Sequence, residues 1–89
     1  MLEQKITIIN KLGLHARAAA KLINVTSSFS SDIQLTKDGR QVDGKSIMSV
    51  MMLAASKGTE LSVSTSGDDE QQAMDAIIQL INNRFDEEE

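Results

Sequence analysis

His15 is the only histidine of the 89-residue chain, and it lies where a strand-like pattern gives way to a helix-like one. The first N–H groups of a helix have no internal partner and the helix dipole adds positive charge, so an anion is stabilised there. The same field favours a neutral imidazole, which is a competent nucleophile. Arg17 can add a charge-assisted hydrogen bond. These residues suit a histidine that accepts a phosphoryl group, with the new charge held by helix N–H groups and Arg17.

Two other interpretations of His15 are a solvent-exposed residue at a helix start with no chemical role, and a ligand of a metal ion. One histidine in a chain without cysteine cannot supply a dedicated zinc site, so no metal is expected. The lack of cysteine also excludes a disulfide and a thiolate nucleophile. We expect no cofactor.

A second strand-to-helix transition contains Ser46, which is a good N-cap residue. A helix N-terminus would also tolerate a phosphate on this hydroxyl, and the phosphate would add about −1.5 to −2 charges. The neighbouring Lys45 fits a solvated lysine as well as it fits a phosphate contact. Ser46 is therefore a candidate for regulatory phosphorylation as well as a structural cap.

Charge divides the chain into unlike parts. Residues 1–58 hold eight basic and four acidic side chains, a net charge of +4, whereas residues 59–89 hold one basic and nine acidic side chains, a net charge of −8. The positive part contains His15 and Ser46, which suits an anionic ligand or an acidic partner protein. Dispersed basic residues and only two aromatic side chains argue against nucleic acid. The acidic end at 86–89 is expected to be a solvated tail.

Length and hydropathy predict one domain over residues 1–89. No apolar run approaches the length of a membrane span, and the first five residues lack a signal-peptide pattern. We therefore expect a cytoplasmic protein that does not insert into membranes.

Alternating apolar residues predict strands at 3–9, 33–36 and 60–65. Asp38-Gly39 predicts a tight hairpin, because both turn positions need positive φ, and the return strand from Arg40 to Asp43 is short. Each strand pattern is one-sided, which favours an antiparallel sheet with one packed face and one wet face.

Three helical periods complete the order βαββαβα. The first extends from Ala16 to Thr26. The second extends from Ser46 through Ala55, with Gly58 closing the helix. The third extends from near Asp68 to Phe85. Asp68 with Gln71 resembles a capping pair for the last helix. The predicted fold is α+β: an open-faced β-sandwich with a four-stranded antiparallel sheet and three helices on one face.

The helix after Ser46 has almost no polar face. Its core side is expected to hold Val50, Leu53 and Ala54, and its exposed side Ile47, Met48 and Met51. An exposed apolar patch usually marks a partner site, and methionine suits a surface that binds several partners. The alternative is a more enclosed helix whose methionines fill the core.

Two motifs occur together: Leu12-Gly13-Leu14-His15-Ala16-Arg17 and Gly44-Lys45-Ser46-Ile47-Met48. At this separation they resemble the HPr family, the histidine-containing phosphocarriers of the bacterial phosphoenolpyruvate-dependent phosphotransferase system, over the whole chain. The resemblance implies that the Nδ1 nitrogen of His15 takes a phosphoryl group from enzyme I and passes it to a histidine of an EIIA-type protein. Such a chain is a phosphoryl-transfer relay rather than a stand-alone enzyme.

The resemblance also implies an open-faced βαββαβα sandwich that docks its partners through the first two helices. The corresponding residues here are Ala16, Ala20, Ile47, Met48 and Met51. Ser46 matches the serine that an ATP-dependent HPr kinase phosphorylates in part of the family, which weakens transfer through the histidine. We expect a monomer that binds these proteins and neither nucleic acid nor membranes.

One departure from the family lies directly after Arg17, where proline is common and this chain has Ala18. Proline presets φ in the first turn of a helix, and alanine is also a good helix former. We expect the fold to survive with a less rigid site. The Ser46 region and the acidic end resemble the regulatory or nitrogen-related branch of proteobacteria more than the sugar branch.

Two other functions fit the residues. The first is a regulatory adaptor whose main output is binding of a partner by the Ser46-phosphorylated protein, with His15 secondary. The second is a ligand-sensing α+β module of the ferredoxin-like type, although such a module does not require His15-Ala16-Arg17 at a helix start.

Overall fold

A computed structural model describes residues 1–88 of the chain. The elements are β1 (Leu2–Thr7), α1 (Ala16–Thr26), β2 (Asp32–Lys37), β3 (Arg40–Asp43), α2 (Ile47–Met51), β4 (Glu60–Ser66), α3 (Glu70–Asn82) and a 3-10 turn (Arg84–Asp86). The strands form one antiparallel sheet in the order β1-β4-β2-β3. The predicted α+β fold with four strands and three helices is confirmed.

The sheet has one packed face, as the alternating pattern predicts. Every second residue of β4, from Leu61 through Val63 to Thr65, is buried, and the residues between them are more exposed. The helices α1 and α3 contact each other, α3 contacts β1 and β4, and the buried residues of α1 belong to the same core. The predicted hairpin is also present, with φ values of 51° at Asp38 and 82° at Gly39. The first residues of α1 are exposed, and α2 buries only Val50 in the core.

The second helix is shorter than the sequence predicts. The apolar run predicts a helix through Ala55, but α2 spans only five residues and ends at Met51. Ala54 has a left-handed backbone with φ 52°, and Lys37 Nζ donates a hydrogen bond of 2.9 Å to the carbonyl oxygen of Leu53. Because a lysine from β2 takes a carbonyl that a longer helix would use, the prediction of a long α2 was wrong.

The start of the third helix also differs from the prediction. Asp69, and not Asp68, occupies the N-cap position, and its side chain makes no capping hydrogen bond. Glu70 Oε1 instead accepts a hydrogen bond of 3.2 Å from the backbone N–H of Gly67. The predicted capping pair of Asp68 with Gln71 is therefore wrong, because the N-cap position lies one residue further on, at Asp69.

The Asp69 carboxylate ties α3 to the loop between α1 and β2. It accepts hydrogen bonds from the backbone N–H of Ser30 at 2.8 Å and of Ser31 at 2.9 Å, and from both serine hydroxyls. These bonds, led by the Ser31 hydroxyl and the Ser30 N–H, lower the pKa of Asp69 from 3.8 to about 2. A charged acceptor with four donors therefore fixes the distance between the two segments.

We predict that Asp69→Asn lowers the free energy of unfolding at neutral pH, because the amide offers one acceptor oxygen and no charge to four donors. The depressed pKa adds stability that is present above pH 3.8 and is lost as the pH falls toward about 2. Urea unfolding of the wild type and the variant at a series of pH values measures both effects. Between pH 3.8 and about 2 the free energy of unfolding should fall less in the variant than in the wild type.

Asp68→Asn is the matched control, because Asp68 is an exposed neighbour that loses the same charge. Its unfolding curves should follow those of the wild type at each pH. Equal curves for wild type and Asp69→Asn would contradict the assignment of the carboxylate as an anchor.

Candidate functional site

His15 lies at the N-cap position of α1, as predicted. Its backbone is extended, with φ −74° and ψ 178°, and its carbonyl oxygen accepts the first helical hydrogen bond from the N–H of Ala19 at 2.8 Å. The imidazole makes no capping hydrogen bond, and 28% of the side chain is exposed. The ring therefore remains available for chemistry while the backbone of the same residue starts the helix.

The loop before His15 is fixed by buried polar contacts. Asn10 is completely buried, and its Nδ2 donates a hydrogen bond of 2.8 Å to the carbonyl oxygen of Gly13. The backbone N–H of Leu14 donates a hydrogen bond of 2.8 Å to the carbonyl oxygen of Ala55, in the segment after α2. These contacts hold the two residues before His15 in place.

Arg17 lies in the first turn of α1 and is exposed. Within residues 1–88 its guanidinium has no hydrogen-bond or ion-pair partner. A cleft of about 500 Å³ lies beside it, lined by Lys11, Leu12, Arg17, Lys21, Asp86, Glu87 and Glu88. Three of these seven residues are basic and three are acidic, so the cleft beside the start of the helix carries charges of both signs.

Glu87 was missed by the sequence reasoning, which predicted a solvated acidic tail at 86–89. Its Oε2 contacts Nε2 of His15, and its Oε1 accepts a hydrogen bond of 2.8 Å from Asn10 Nδ2. The tail prediction is therefore wrong for Glu87, and residue 89 lies outside the described residues. The available signal was Phe85, the last residue of the apolar stripe that the sequence assigns to the third helix; α3 itself ends at Asn82, and Phe85 is buried in the turn that follows.

The contacts of Glu87 keep its carboxylate ionised. The Asn10 amide lowers the pKa of Glu87 below its ordinary value, and so do the hydrogen bond and charge of His15 and the charge of Lys21. Burial acts in the opposite direction, since it penalises the charged form. At neutral pH the only imidazole of the chain therefore faces a carboxylate as well as a helix N-terminus.

Ser46 caps α2, as predicted, and its hydroxyl accepts a hydrogen bond of 3.4 Å from the N–H of Ser49. The side chain is half-buried. Lys45 is not directed at it, because Lys45 Nζ donates a hydrogen bond of 2.7 Å to the carbonyl oxygen of Phe29. A group attached to Ser46 would therefore lie beside the apolar residues of α2 and not beside a free lysine.

The predicted apolar patch on α2 is exposed. We define the α2 patch as Ile47, Met48, Met51 and Met52, whose exposed fractions are 38%, 69%, 40% and 58%. The core side differs from the prediction at one position, because Ala54 is exposed and Ala55 is buried in its place. The helix α1, which carries the exposed Ala16 and the half-buried Ala20, contacts α2.

In the described part of the chain, no group of three or more histidine, cysteine, aspartate or glutamate side chains is placed to hold a metal ion. No helix formed by residues 1–88 is long and apolar enough to cross a membrane.

Comparison with known proteins gives consistent matches. A family model described as PTS HPr component phosphorylation site matches residues 2–83. The chain is 57% identical over 89 residues to the phosphocarrier protein HPr of Cupriavidus necator, covering 100% of both. It is 56% identical over 86 residues to that of Pseudomonas aeruginosa, covering 96% of each. The crystal structure of HPr-C-His from Thermoanaerobacter tengcongensis is similar with a TM-score of 0.97 and 46% identity, covering 100% of both chains.

We predict that Gly13→Ala destabilises the fold through the loop that carries His15. The φ of Gly13 is +67°, and an added Cβ would lie 2.6 Å from the Ala55 carbonyl oxygen and 2.7 Å from Ser56 Cα. Both neighbours are backbone atoms, so the overlap is relieved only by moving the loop. Urea unfolding measures the loss of stability.

Gly39→Ala is the matched control, because Gly39 also has a positive φ, +82°, but an added Cβ there meets nothing within 4 Å. The difference between the two variants isolates the steric cost, which we expect to be about 1–3 kcal/mol. An equal loss in both would mean that the loop before His15 is not held against the segment after α2.

Proposed function

The chain belongs to the HPr family of phosphocarrier proteins of the phosphotransferase system, and on that premise we propose that His15 is the residue that carries the phosphoryl group. The observation that supports this most directly is the position of the chain's only histidine at the N-terminus of α1 beside an arginine. Phosphoryl transfer depends mainly on positioning and on stabilisation of negative charge, and this arrangement supplies both.

The Nδ1 nitrogen is the acceptor in this proposal. Nε2 of His15 is already in contact with the Glu87 carboxylate, which leaves Nδ1 for the incoming group. The bond from phosphorus to the donor breaks while the bond from phosphorus to Nδ1 forms. The unpaired N–H groups at the start of α1 and the guanidinium of Arg17 stabilise the oxygens of the transferred group.

The partners in this proposal are enzyme I as the donor and an EIIA-type protein as the acceptor. The α2 patch supplies apolar contact area at the docking surface, together with Ala16 and Ala20 of α1. The exposed Arg17 in the first turn of α1 suits partners with acidic surfaces. The chain acts as a monomeric relay that docks with each partner in turn and turns over no small substrate unaided.

Ser46 is proposed as a regulatory phosphorylation site. Its hydroxyl lies directly before Ile47 and Met48 of the α2 patch. A phosphate there would place about −1.5 to −2 charges at the edge of an apolar docking surface. The consequence is weaker docking, with the chemistry of His15 itself unchanged.

We predict that the chain gains one acid-labile phosphate when it is incubated with enzyme I and phosphoenolpyruvate, and that His15→Ala gains none. Arg17→Gln should retain the modification but slow its formation by roughly ten- to a hundredfold. That slowing corresponds to the about 1.5–3 kcal/mol of a hydrogen bond to a charged group. Mass spectrometry of the intact protein measures the gain, and a time course measures the rate.

Arg40→Gln is the matched control for Arg17, since Arg40 is an exposed arginine on β3. It should be phosphorylated at the wild-type rate. A phosphate gained by His15→Ala would exclude His15 as the carrier, and equal rates for the two arginine variants would exclude a specific role of Arg17.

We also predict that the α2 patch sets the affinity for partners and not the rate of the chemical step. Met48→Ala should raise the KM for phosphorylated enzyme I by roughly fivefold with little change in kcat, as for a well-buried interface contact of about 1 kcal/mol. Ser46→Asp should act in the same direction by adding charge to the patch. Steady-state transfer kinetics measure both parameters.

Gln72→Ala serves as the control, because Gln72 is an exposed residue of α3. Its KM should equal that of the wild type. An unchanged KM for Met48→Ala would move the docking surface away from α2.

A further inference from the structure

The chain end follows an unusual path after α3. Arg84, Phe85 and Asp86 all have left-handed backbone conformations, with φ values of 56°, 54° and 62°. Three successive non-glycine residues in this region are disfavoured and persist only where other contacts hold them. Phe85 supplies one such contact, since it is completely buried in the core, and Lys21 Nζ supplies another by donating a hydrogen bond of 2.8 Å to its carbonyl oxygen.

This path ends with Glu87 on the His15 ring. The two carboxylate oxygens of Glu87 have different partners, Oε1 the buried Asn10 amide at 2.8 Å and Oε2 the Nε2 of His15. The same Asn10 nitrogen also donates to Gly13 in the loop before His15, at 2.8 Å. Only 14% of the Glu87 side chain is exposed. A carboxylate this enclosed, held by a buried amide, is part of the site and not a passing surface contact.

We propose that Glu87 is a positioning residue for phosphoryl transfer. Its carboxylate accepts the Nε2–H of His15, and so keeps the proton on that nitrogen and the lone pair on Nδ1. This inference rests on the proposed role of His15 as the carrier. The family match ends at residue 83, so Glu87 lies beyond the matched region.

The balance of protons and charge during transfer explains how a carboxylate at Nε2 of His15 would help the reaction. When Nδ1 attacks phosphorus, the bond to the donor breaks and its electron pair leaves with the donor, while His15 keeps its Nε2 proton. The ring therefore gains a positive charge, which the ionised Glu87 neutralises. In the onward transfer the ring leaves as neutral imidazole, because Nε2 still holds the proton. A carboxylate that orients an imidazole and stabilises its imidazolium has the same role in serine protease triads.

The acidic residues around Glu87 could also oppose phosphoryl transfer. Asp86, Glu87 and Glu88 line the cleft beside Arg17, and their negative charge repels an approaching phosphoryl group. If this repulsion dominated, the tail would be a blocking cap and its removal would accelerate transfer. Glu87 contacts Nε2 and not Nδ1, so it does not cover the nitrogen that accepts the phosphoryl group. This geometry favours a positioning role over a blocking one.

The first experiment measures the tautomer of His15 directly. Because the chain has one histidine, protein labelled with ¹⁵N-histidine gives one set of ring signals. At a pH high enough for the imidazole ring to be neutral, a two-bond ¹H–¹⁵N correlation spectrum should show that the Nε2–H tautomer predominates in the wild type. Glu87→Ala should shift the signals toward a mixture of the two tautomers. An unchanged spectrum in Glu87→Ala would overturn the proposal.

The second experiment is phosphorylation by enzyme I and phosphoenolpyruvate. Glu87→Ala should lower kcat by about ten- to a hundredfold, as when the hydrogen-bond partner of a metal-ligating histidine is removed, with KM within about twofold of wild type. Glu87→Gln should be intermediate, because the amide oxygen still accepts a hydrogen bond but carries no charge. A faster Glu87→Ala would show a blocking cap and would also overturn the proposal.

Asp68→Ala is the matched control, because it removes an exposed carboxylate that does not line the cleft beside Arg17. It should resemble the wild type in both experiments. The two proposals fail differently: if His15→Ala abolishes phosphorylation while Glu87→Ala keeps the wild-type rate, only the role of Glu87 is lost. If the wild-type chain gains no phosphate, the carrier function is lost, and the tautomer spectrum still decides whether Glu87 holds the ring.

Discussion

The hydrogen bond from the N–H of Leu14 to the carbonyl oxygen of Ala55 joins the two functional segments of the chain. On one side it fixes the residue before His15, and it brings the backbone so close that only a glycine fits at position 13. On the other side it uses the carbonyl of Ala55, in the segment after α2 that follows the left-handed Ala54. One backbone contact thus accounts for the tight loop before His15 and for the closeness of that loop to the segment after α2.

The two parts of the chain that differ in charge meet at the same place. The basic part supplies Lys11, Arg17 and Lys21 around the cleft, and the acidic part returns Glu87 to it through the buried Phe85. Folding therefore does not leave His15 in a purely positive field, as the division of charge along the sequence suggests. It places a carboxylate on one ring nitrogen, and Arg17 lies in the first turn of the helix that His15 caps, so a phosphorylated His15 would have an opposite charge nearby for the ring and for the phosphoryl group.

The predictions that succeeded depend on local patterns. The hairpin at Asp38-Gly39, the alternating burial of β4 and the helix start at His15 follow from residues within one turn or one strand. The predictions that failed depend on contacts between distant residues. Glu87 lies 72 residues from His15 and 77 from Asn10, and nothing in an acidic run indicates which carboxylate will be enclosed. Lys37 of β2 takes the Leu53 carbonyl just beyond α2, and neither the strand pattern of β2 nor the apolar run after Ser46 indicates that contact.

The short length of α2 changes the physical account of Ser46. A sequence that predicts a helix through Ala55 also predicts a dipole able to stabilise a phosphate on its cap residue, but a helix of five residues has little dipole to offer. Lys45 cannot compensate, because its ammonium group is bonded to the carbonyl oxygen of Phe29. A phosphate on Ser46 would therefore meet few local charges and would act on whatever covers the α2 patch. The proposed roles of Ser46 and His15 then differ in kind: a phosphate on Ser46 would change the docking surface, whereas phosphoryl transfer through His15 would depend on groups of α1 and on Glu87.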